Sequence, residues 1–341
     1  MLNIKIHWFF KLIIVSFFSL LTWLGGLLFY VNNTWQLPAE QTTELYEVKK
    51  GWSYYRLINE LASQGSIDSV FPFKVLRWVN PEFKTLKAGL YRIPSELTQR
   101  ELIEYILNAK PAEFKITFIE GSQWRDWWTQ LQQHPYIIKT LVSHHDKALN
   151  KFKRKGSIEG LLFPDTYVFY AGTTDIELIQ QAHSRMEEVL NDAMHNSQLT
   201  EYDTVLDDYE ILTLASIIEK ETAIVNEMPM VSSVFYNRLK KNMRLQTDPT
   251  VIYGLGELYK GDITRAHLKQ KTAYNTYVIK GLPPTPIAMP GKSAIQAAVQ
   301  PLVSDYYYFV ASGSGGHTFS RNLADHNRAV KDYLRQLKNK G

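Results

Sequence analysis

Two glutamates, Glu219 and Glu221, close the run Leu-Thr-Leu-Ala-Ser-Ile-Ile-Glu-Lys-Glu-Thr at residues 212–222. The apolar spacing before them is that of a buried helix. At ~100° per residue, Glu221 falls roughly 20° from Leu214, 40° from Ile217 and 60° from Ile218, on the most apolar stripe. Glu219 points elsewhere, toward Leu212, Ala215 and Ser216. A carboxyl held against aliphatic side chains loses hydration of its ionised form, so its pKa rises and it keeps a proton near neutral pH. Such a group can protonate a leaving oxygen, which is the acid step of sugar cleavage. The plainer alternative is a solvated Glu-Lys-Glu face with no chemistry at all.

Further polar segments punctuated by Gly or Pro have the composition of loops that line a substrate. The first is Glu159-Gly160-Leu161-Leu162-Phe163-Pro164-Asp165-Thr166-Tyr167. A second, residues 243–254, places Gln246, Thr247 and Asp248 in a row before Pro249. A third carries Tyr274 and Asn275 and leads to Gly281-Leu282-Pro283-Pro284. Amides, hydroxyls and acids of this kind hydrogen-bond sugar hydroxyls. Each could equally cap a loop. Metal chemistry is not expected: His144, His145 and Asp146 diverge along the chain, and His317 and His326 lack ligand spacing. The absence of a Gly-x-Ser-x-Gly motif argues against a serine nucleophile. The glycine run at 313–316 lacks the Lys-Ser/Thr of a phosphate loop, so no nucleotide or other cofactor is expected.

These groups need a scaffold, and 341 residues with 45% hydrophobic and 13% aromatic content can build about two packed domains. A net charge of +4, spread along the chain, gives no support for nucleic-acid binding. Cysteine is absent, which excludes disulfides and thiol chemistry. Residues 12–31 carry no charge over twenty positions, enough to span a hydrocarbon core at about 1.5 Å per residue. No small-x-small exit follows Gly25-Gly26, so an uncleaved anchor is expected rather than a signal peptide. Lys5 and Lys11 precede it and no basic residue follows until Lys49, which places residues 1–11 in the cytoplasm.

Residues 32–43 read as a tether containing Pro38. Residues 44–94 then give strand, helix, helix and strand: Tyr46 to Lys49, Leu57 to Ala62, Phe73 to Val79, and Gly89 to Ile93. This β-α-α-β module is similar to LysM-like glycan-binding domains, with Val48-Lys49-Lys50-Gly51-Trp52-Ser53 at the strand-to-helix entry. Trp52 and Trp78 would either meet sugar or simply pack. A linker helix over 95–107 opens the remaining region, 95–341. There the pattern predicts a strand at 114–119, a helix at 124–131 in which Trp127 and Trp128 cannot share a face, and a helix at 176–194. Residues 208–242 read as mostly helical with a break near Met228-Pro229. A strand at 306–311 pairs back through the glycines onto His317-Thr318-Phe319. A final helix at 323–337 turns Val330, Tyr333, Leu334 and Leu337 inward. The fold class expected is α+β.

Taken together, the segments 159–167, 215–222, 233–239, 245–254, 274–277, 281–284 and 316–319 resemble the YceG-like family of endolytic murein transglycosylases. The resemblance covers nearly the whole chain and is most specific from Glu159 onward. It implies a single-pass protein of the bacterial inner membrane whose catalytic domain faces the periplasm and cuts peptidoglycan strands internally. It implies that Glu221 is catalytic, with Glu219 the fallback; Gln246, Thr247, Asp248, Tyr274, Asn275 and Glu159 are the candidates for holding the glycan, each of which could equally cap a loop. It also implies partnership with penicillin-binding glycan synthases and the elongation or division machinery. The chemistry implied needs no second acid, unlike the usual two-carboxylate scheme. Glu221 protonates the bridging oxygen, then takes the proton of the muramic C6 hydroxyl as that hydroxyl closes on C1 to give a 1,6-anhydro end. Two rivals remain: a water-using muramidase with Asp248 or Glu159 as base, and a non-catalytic wall-binding scaffold.

Overall fold

The computed structural model describes residues 2–40, 44–81, 86–197, 199 and 206–340. The chain divides into two compact units, one formed by Met1–Phe114 with Phe169–Gly172, the other by Lys115–Val168 with Thr173–Gly341. Both mix helices with short antiparallel strands, so the fold is α+β.

The first unit begins with helix α1, Leu2–Gln36. Its stretch Trp8–Gln36 contains an 18-residue window of mean hydropathy 2.2 and is long enough to cross a membrane, the one such helix among the described residues. Trp8, Phe18 and Phe29 stand bare along it, whereas its end is packed: Val31 and Thr34 are buried, and the Trp35 indole donates to the Pro72 carbonyl at 3.2 Å. The segment expected as a tether is therefore helical as far as Gln36. Its continuation, Leu37 to Ala39, exchanges backbone hydrogen bonds with residues 97–99. Residues 41–43 lie outside the described residues.

The β-α-α-β order is present as β1 (Leu45–Val48), α2 (Tyr54–Ser63), α3 (Phe71–Val79) and β2 (Gly89–Arg92), with β1 and β2 antiparallel and Tyr46 opposite Tyr91. Ser53 caps α2 by accepting from the Arg56 amide. Helix α4 (Gln99–Asn108), started by a Thr98–Glu101 capping box, buries Leu102, Ile103 and Ile106 against the same core as Leu57, Ile58, Phe73 and Leu76. It is a member of this module's core, because three apolar residues at helical spacing need an apolar partner. Trp78 is 83% exposed.

Strand β3 (Glu113–Thr117) pairs with β4 (Thr166–Tyr170), and their residues 115–117 and 166–168 fall in the second unit, as do α5 (Trp124–Gln133) and α6 (Asp175–His195). Trp127 stacks on Phe118 at 3.8 Å between ring centres and is buried, while Trp128 is half-buried. At the centre lies α7, Asp208–Glu221, opened by an Asp207–Glu210 capping box and buried on all sides from Ile211 to Ile218. A helix apolar all round is a core helix, and α11 (Lys292–Val299) packs along it. The break expected near Met228-Pro229 is real: α7 ends at Glu221, Thr222 is extended, and α8 (Met228–Lys240) starts with proline in its first turn. α9 (Asp248–Leu255) and α10 (Arg265–Lys269) follow. β5 (Tyr308–Ala311) and β6 (His317–Ser320) form the expected hairpin, with Phe309 opposite Phe319 and Ala311 opposite His317. α12 (Leu323–Lys340) lies on this hairpin. Its inward stripe is narrower than expected: Val330 and Tyr333 are half-buried, but Leu334 and Leu337 are about half exposed, because a two-stranded hairpin covers only part of a helix face.

Candidate active site

The buried stripe of α7 delivers its last residue, Glu221, to the edge of a cavity of about 480 Å³. Asp248, Arg238, Tyr277, Tyr308 and His317 also line it. Burial pushes the Glu221 carboxyl above the usual carboxylate range, and the Asp248 charge adds to this. The Thr247 hydrogen bond and the charges of His317 and Arg238 pull the other way without cancelling it. The C-terminal end of α7 also disfavours an added negative charge. Thr247 donates its hydroxyl to Oε1 of Glu221, and Oε2 has no hydrogen-bond partner among the described residues. A protonated carboxyl with one free oxygen at a cavity wall can deliver a proton to a bound ligand.

The loop between α8 and α9 is shaped to serve this carboxyl. Gln246 sits at a φ of 52°, a left-handed conformation unusual for a side-chain-bearing residue and held by tertiary contacts. Its amide donates to the Thr276 carbonyl, and the next amide, of Thr247, donates to the Thr276 hydroxyl at 3.0 Å. The Thr276 hydroxyl also meets that of Thr250 at 2.8 Å. Thr247 is thus buried and oriented rather than free to meet a ligand. Gln246 and Asp248 are exposed and face the cavity, and Asp248 accepts from the Tyr277 hydroxyl at 2.7 Å. Arg238, buried, donates to the carbonyls of Tyr307 at 2.6 Å and Leu245 at 2.8 Å, tying this loop to β5.

The other residues singled out from sequence lie elsewhere. Glu219 accepts from the Gly291 amide at 2.9 Å and does not line the cavity, so it caps the start of α11. An added Cβ at Gly291 would meet the Glu120 carboxylate, the movable end of an exposed side chain. Burial raises the Glu219 carboxyl, countered by that amide, with Glu120 raising it further and Lys220 lowering it. Asn275 is buried and spends its amide nitrogen on the carbonyls of His267, Leu268 and Gln270, and its oxygen on the Tyr277 amide. Its side chain is a loop tie. Glu159 and Tyr274 line a second cavity of about 570 Å³, together with Trp124, Tyr253 and Tyr259. There Glu159 accepts from the Trp124 amide at 3.0 Å and the Tyr253 hydroxyl at 3.2 Å, and burial pushes its carboxyl up to about 8.

The structure thus gathers Glu221, Gln246, Thr247 and Asp248 in one place and sets Glu159 and Tyr274 in another. Arg238, Tyr277 and His317 complete the first cavity and were not singled out from sequence as ligand-binding groups. Their positions follow from packing between segments far apart in the chain. Among the described residues no cluster of His, Cys, Asp and Glu could hold a metal ion.

Known proteins resemble this chain over most of its length. The endolytic murein transglycosylase of Bacillus subtilis (strain 168) is 32% identical over 272 residues, 73% of this chain and 73% of that protein. The endolytic murein transglycosylase of Streptococcus pneumoniae R6 is 27% identical over 287 residues, 74% of this chain but only 51% of the relative, so the chain spans about half of that longer protein. A crystal structure of a yceG-like protein from Listeria monocytogenes superposes with a TM-score of 0.50 at 30% identity, covering 83% of this chain and 98% of that one. The sequence model of the YceG-like family matches residues 46–332. With matches of this extent and a shared fold, the chain belongs to the YceG-like family.

Proposed function

We propose that this chain is an endolytic lytic transglycosylase that cuts the bond between N-acetylmuramic acid and N-acetylglucosamine inside peptidoglycan strands. Its relatives in Bacillus and Streptococcus carry the name endolytic murein transglycosylase. One observation on this chain carries the reading: the Glu221 carboxyl, its pKa raised by burial, sits at the end of a core helix with an unengaged oxygen at a cavity wall. Glu221 donates its proton to the bridging oxygen as the bond to C1 breaks. The muramic C6 hydroxyl closes on C1, leaving a 1,6-anhydro end without consuming water. In the single-carboxyl scheme the hydroxyl proton returns to Glu221. A well-oriented intramolecular nucleophile can lower the barrier by about 7–11 kcal/mol, so the protein's main task is to hold a distorted sugar. Gln246 and Asp248 do the holding in this cavity, and Tyr274 serves strand binding further along.

The anchor reading supplies the setting. Residues 12–31 span the inner membrane once, residues 1–11 stay in the cytoplasm, and both folded units act on nascent wall in the periplasm. The apolar helix and the lysines ahead of it support this topology. Residues 44–94 act as a LysM-like glycan-binding module, a proposal supported by its strand-helix-helix-strand order. Residues 95–341 contain helix α4, which packs into that module's core, and the catalytic region. Trimming or terminating strands brings the chain to penicillin-binding glycan synthases as partners.

Digestion of purified peptidoglycan with the full-length protein in detergent, followed by mass spectrometry, tests the reading. Fragments ending in 1,6-anhydromuramic acid, one water lighter than reducing ends, are the expected product. Reducing ends would point to a muramidase with Asp248, which shares the cavity, as base. Intact strands would leave only a wall-binding scaffold.

A further inference from the structure

The cavity that holds the acid also holds an imidazole that the single-carboxyl scheme does not use. His317 is the first residue of β6 and lines the cavity with Glu221. It is held at two points by one carboxylate: its backbone amide donates to Oε1 of Glu227 at 2.9 Å, and its Nδ1 lies 2.8 Å from Oε2. Glu227 comes from the short turn between α7 and α8, ninety residues earlier. The close approach is built in, since Gly316, at a φ of 80°, has the Glu227 carboxylate where a Cβ would be. Burial pushes Glu227 up, but the two hydrogen bonds and the charge of His317 outweigh this and hold it ionised, below the usual range. The Phe309 ring meets the imidazole edge-on at 5.4 Å and limits its rotation.

A carboxylate on Nδ1 fixes the proton there and leaves Nε2 as a lone-pair acceptor, the arrangement that makes an imidazole a base. No described residue hydrogen-bonds Nε2. We infer that His317, oriented by Glu227, is the base that takes the C6 hydroxyl proton while Glu221 serves only as the acid. This rests on the reading of Glu221 given above. In the step, the C1–O bond to the bridging oxygen breaks and its electron pair stays on that oxygen, which takes the Glu221 proton. The C6 oxygen forms the new bond to C1, and its proton moves to Nε2. Transfer of that proton from His317 back to the Glu221 carboxylate then restores both groups. The split of roles suits the site, because a carboxyl whose ionised form is disfavoured is a good acid and a short-lived carboxylate.

The test is steady-state cleavage of peptidoglycan across pH by the full-length protein and its His317→Ala, Glu227→Gln and Glu221→Gln variants, with melting temperatures alongside. His317→Ala is expected to lose roughly 100-fold in kcat with KM unchanged. It is also expected to lose the acid limb of its pH profile and to recover partly with added imidazole. The groups that face His317 and share in that profile are Glu227 beside it, Glu221 on α7, Arg238 on α8, Asp248 on α9, Tyr277 on its loop, Tyr308 on β5 and His326 on α12. Glu227→Gln keeps an acceptor for the backbone amide but turns an N–H toward Nδ1. This favours the tautomer protonated on Nε2, so a drop in kcat at constant KM is expected. Normal kcat in both variants overturns the inference, as does a native-melting His317→Ala whose loss imidazole does not rescue and whose acid limb persists. Should His317→Ala melt early, Glu227→Gln decides by the same kcat criterion. An active Glu221→Gln would instead sink the acid assignment itself, whatever His317 does.

Discussion

The catalytic-type unit sets two glutamates at the walls of two cavities, both raised by burial, and they differ in what their oxygens are doing. Glu159 has both oxygens engaged, one by the Trp124 amide and one by the Tyr253 hydroxyl. Glu221 has one oxygen positioned by Thr247 and the other open to the cavity. Burial raises both carboxyls, so a raised pKa alone does not identify the acid. What separates them is commitment: a carboxyl tied at both ends holds a fold together, and one tied at a single end is oriented for transfer.

The largest expected effect tests that contrast directly. Glu221→Gln, nearly isosteric but without the proton, should lower kcat by about 1,000-fold while glycan binding and melting temperature stay near wild type. Glu159→Gln should leave cleavage within a few-fold, and its signature should be in stability. Because the folded value of about 8 lies above the unfolded one, Glu159 stabilises fully only below the ordinary carboxyl range, and that stability is lost as pH rises toward 8. Thermal melts of Glu159→Gln and wild type should therefore diverge between pH 5 and pH 8, in the variant's favour, on the order of a few kcal/mol. A smaller effect is expected for Thr247→Val. Losing a hydrogen bond that lowers the Glu221 carboxyl should move the alkaline limb of the rate profile to higher pH, with kcat falling about tenfold from lost orientation. Glu219→Ala should do least: about 1 kcal/mol of stability from the missing cap on α11, read by denaturant titration, with cleavage retained.

Much of the frame of this contrast could be read from spacing. The apolar stripe of α7 placed Glu221 and Glu219 on different faces, and the structure sends them to different neighbours, a cavity and the start of α11. Apolar spacing, the Met228-Pro229 breaker and the glycines located α7, α8 and the β5–β6 hairpin, because these are local signals. The partition of polar residues between cavities was not legible. Tyr274 and Asn275 are adjacent, yet one lines the Glu159 cavity and the other ties a loop, since an amide's type does not say which carbonyls will surround it. Glu227 and His317 meet only because β6 returns to the turn after α7, a tertiary event without a local signature. The exposure of Leu334 and Leu337 has the same origin: periodicity gives the face of a helix but not the width of what covers it.

The account turns on Glu221 carrying its proton at the pH where the protein works. Infrared difference spectroscopy of wild type against Glu221→Gln, titrated with cleavage rates on the same samples, reads that proton directly. A protonated carboxyl band, absent from the variant, should persist above the ordinary carboxylate range and fade in step with activity as pH rises. A band already gone at the pH of maximal cleavage would contradict the assignment of Glu221 as the acid.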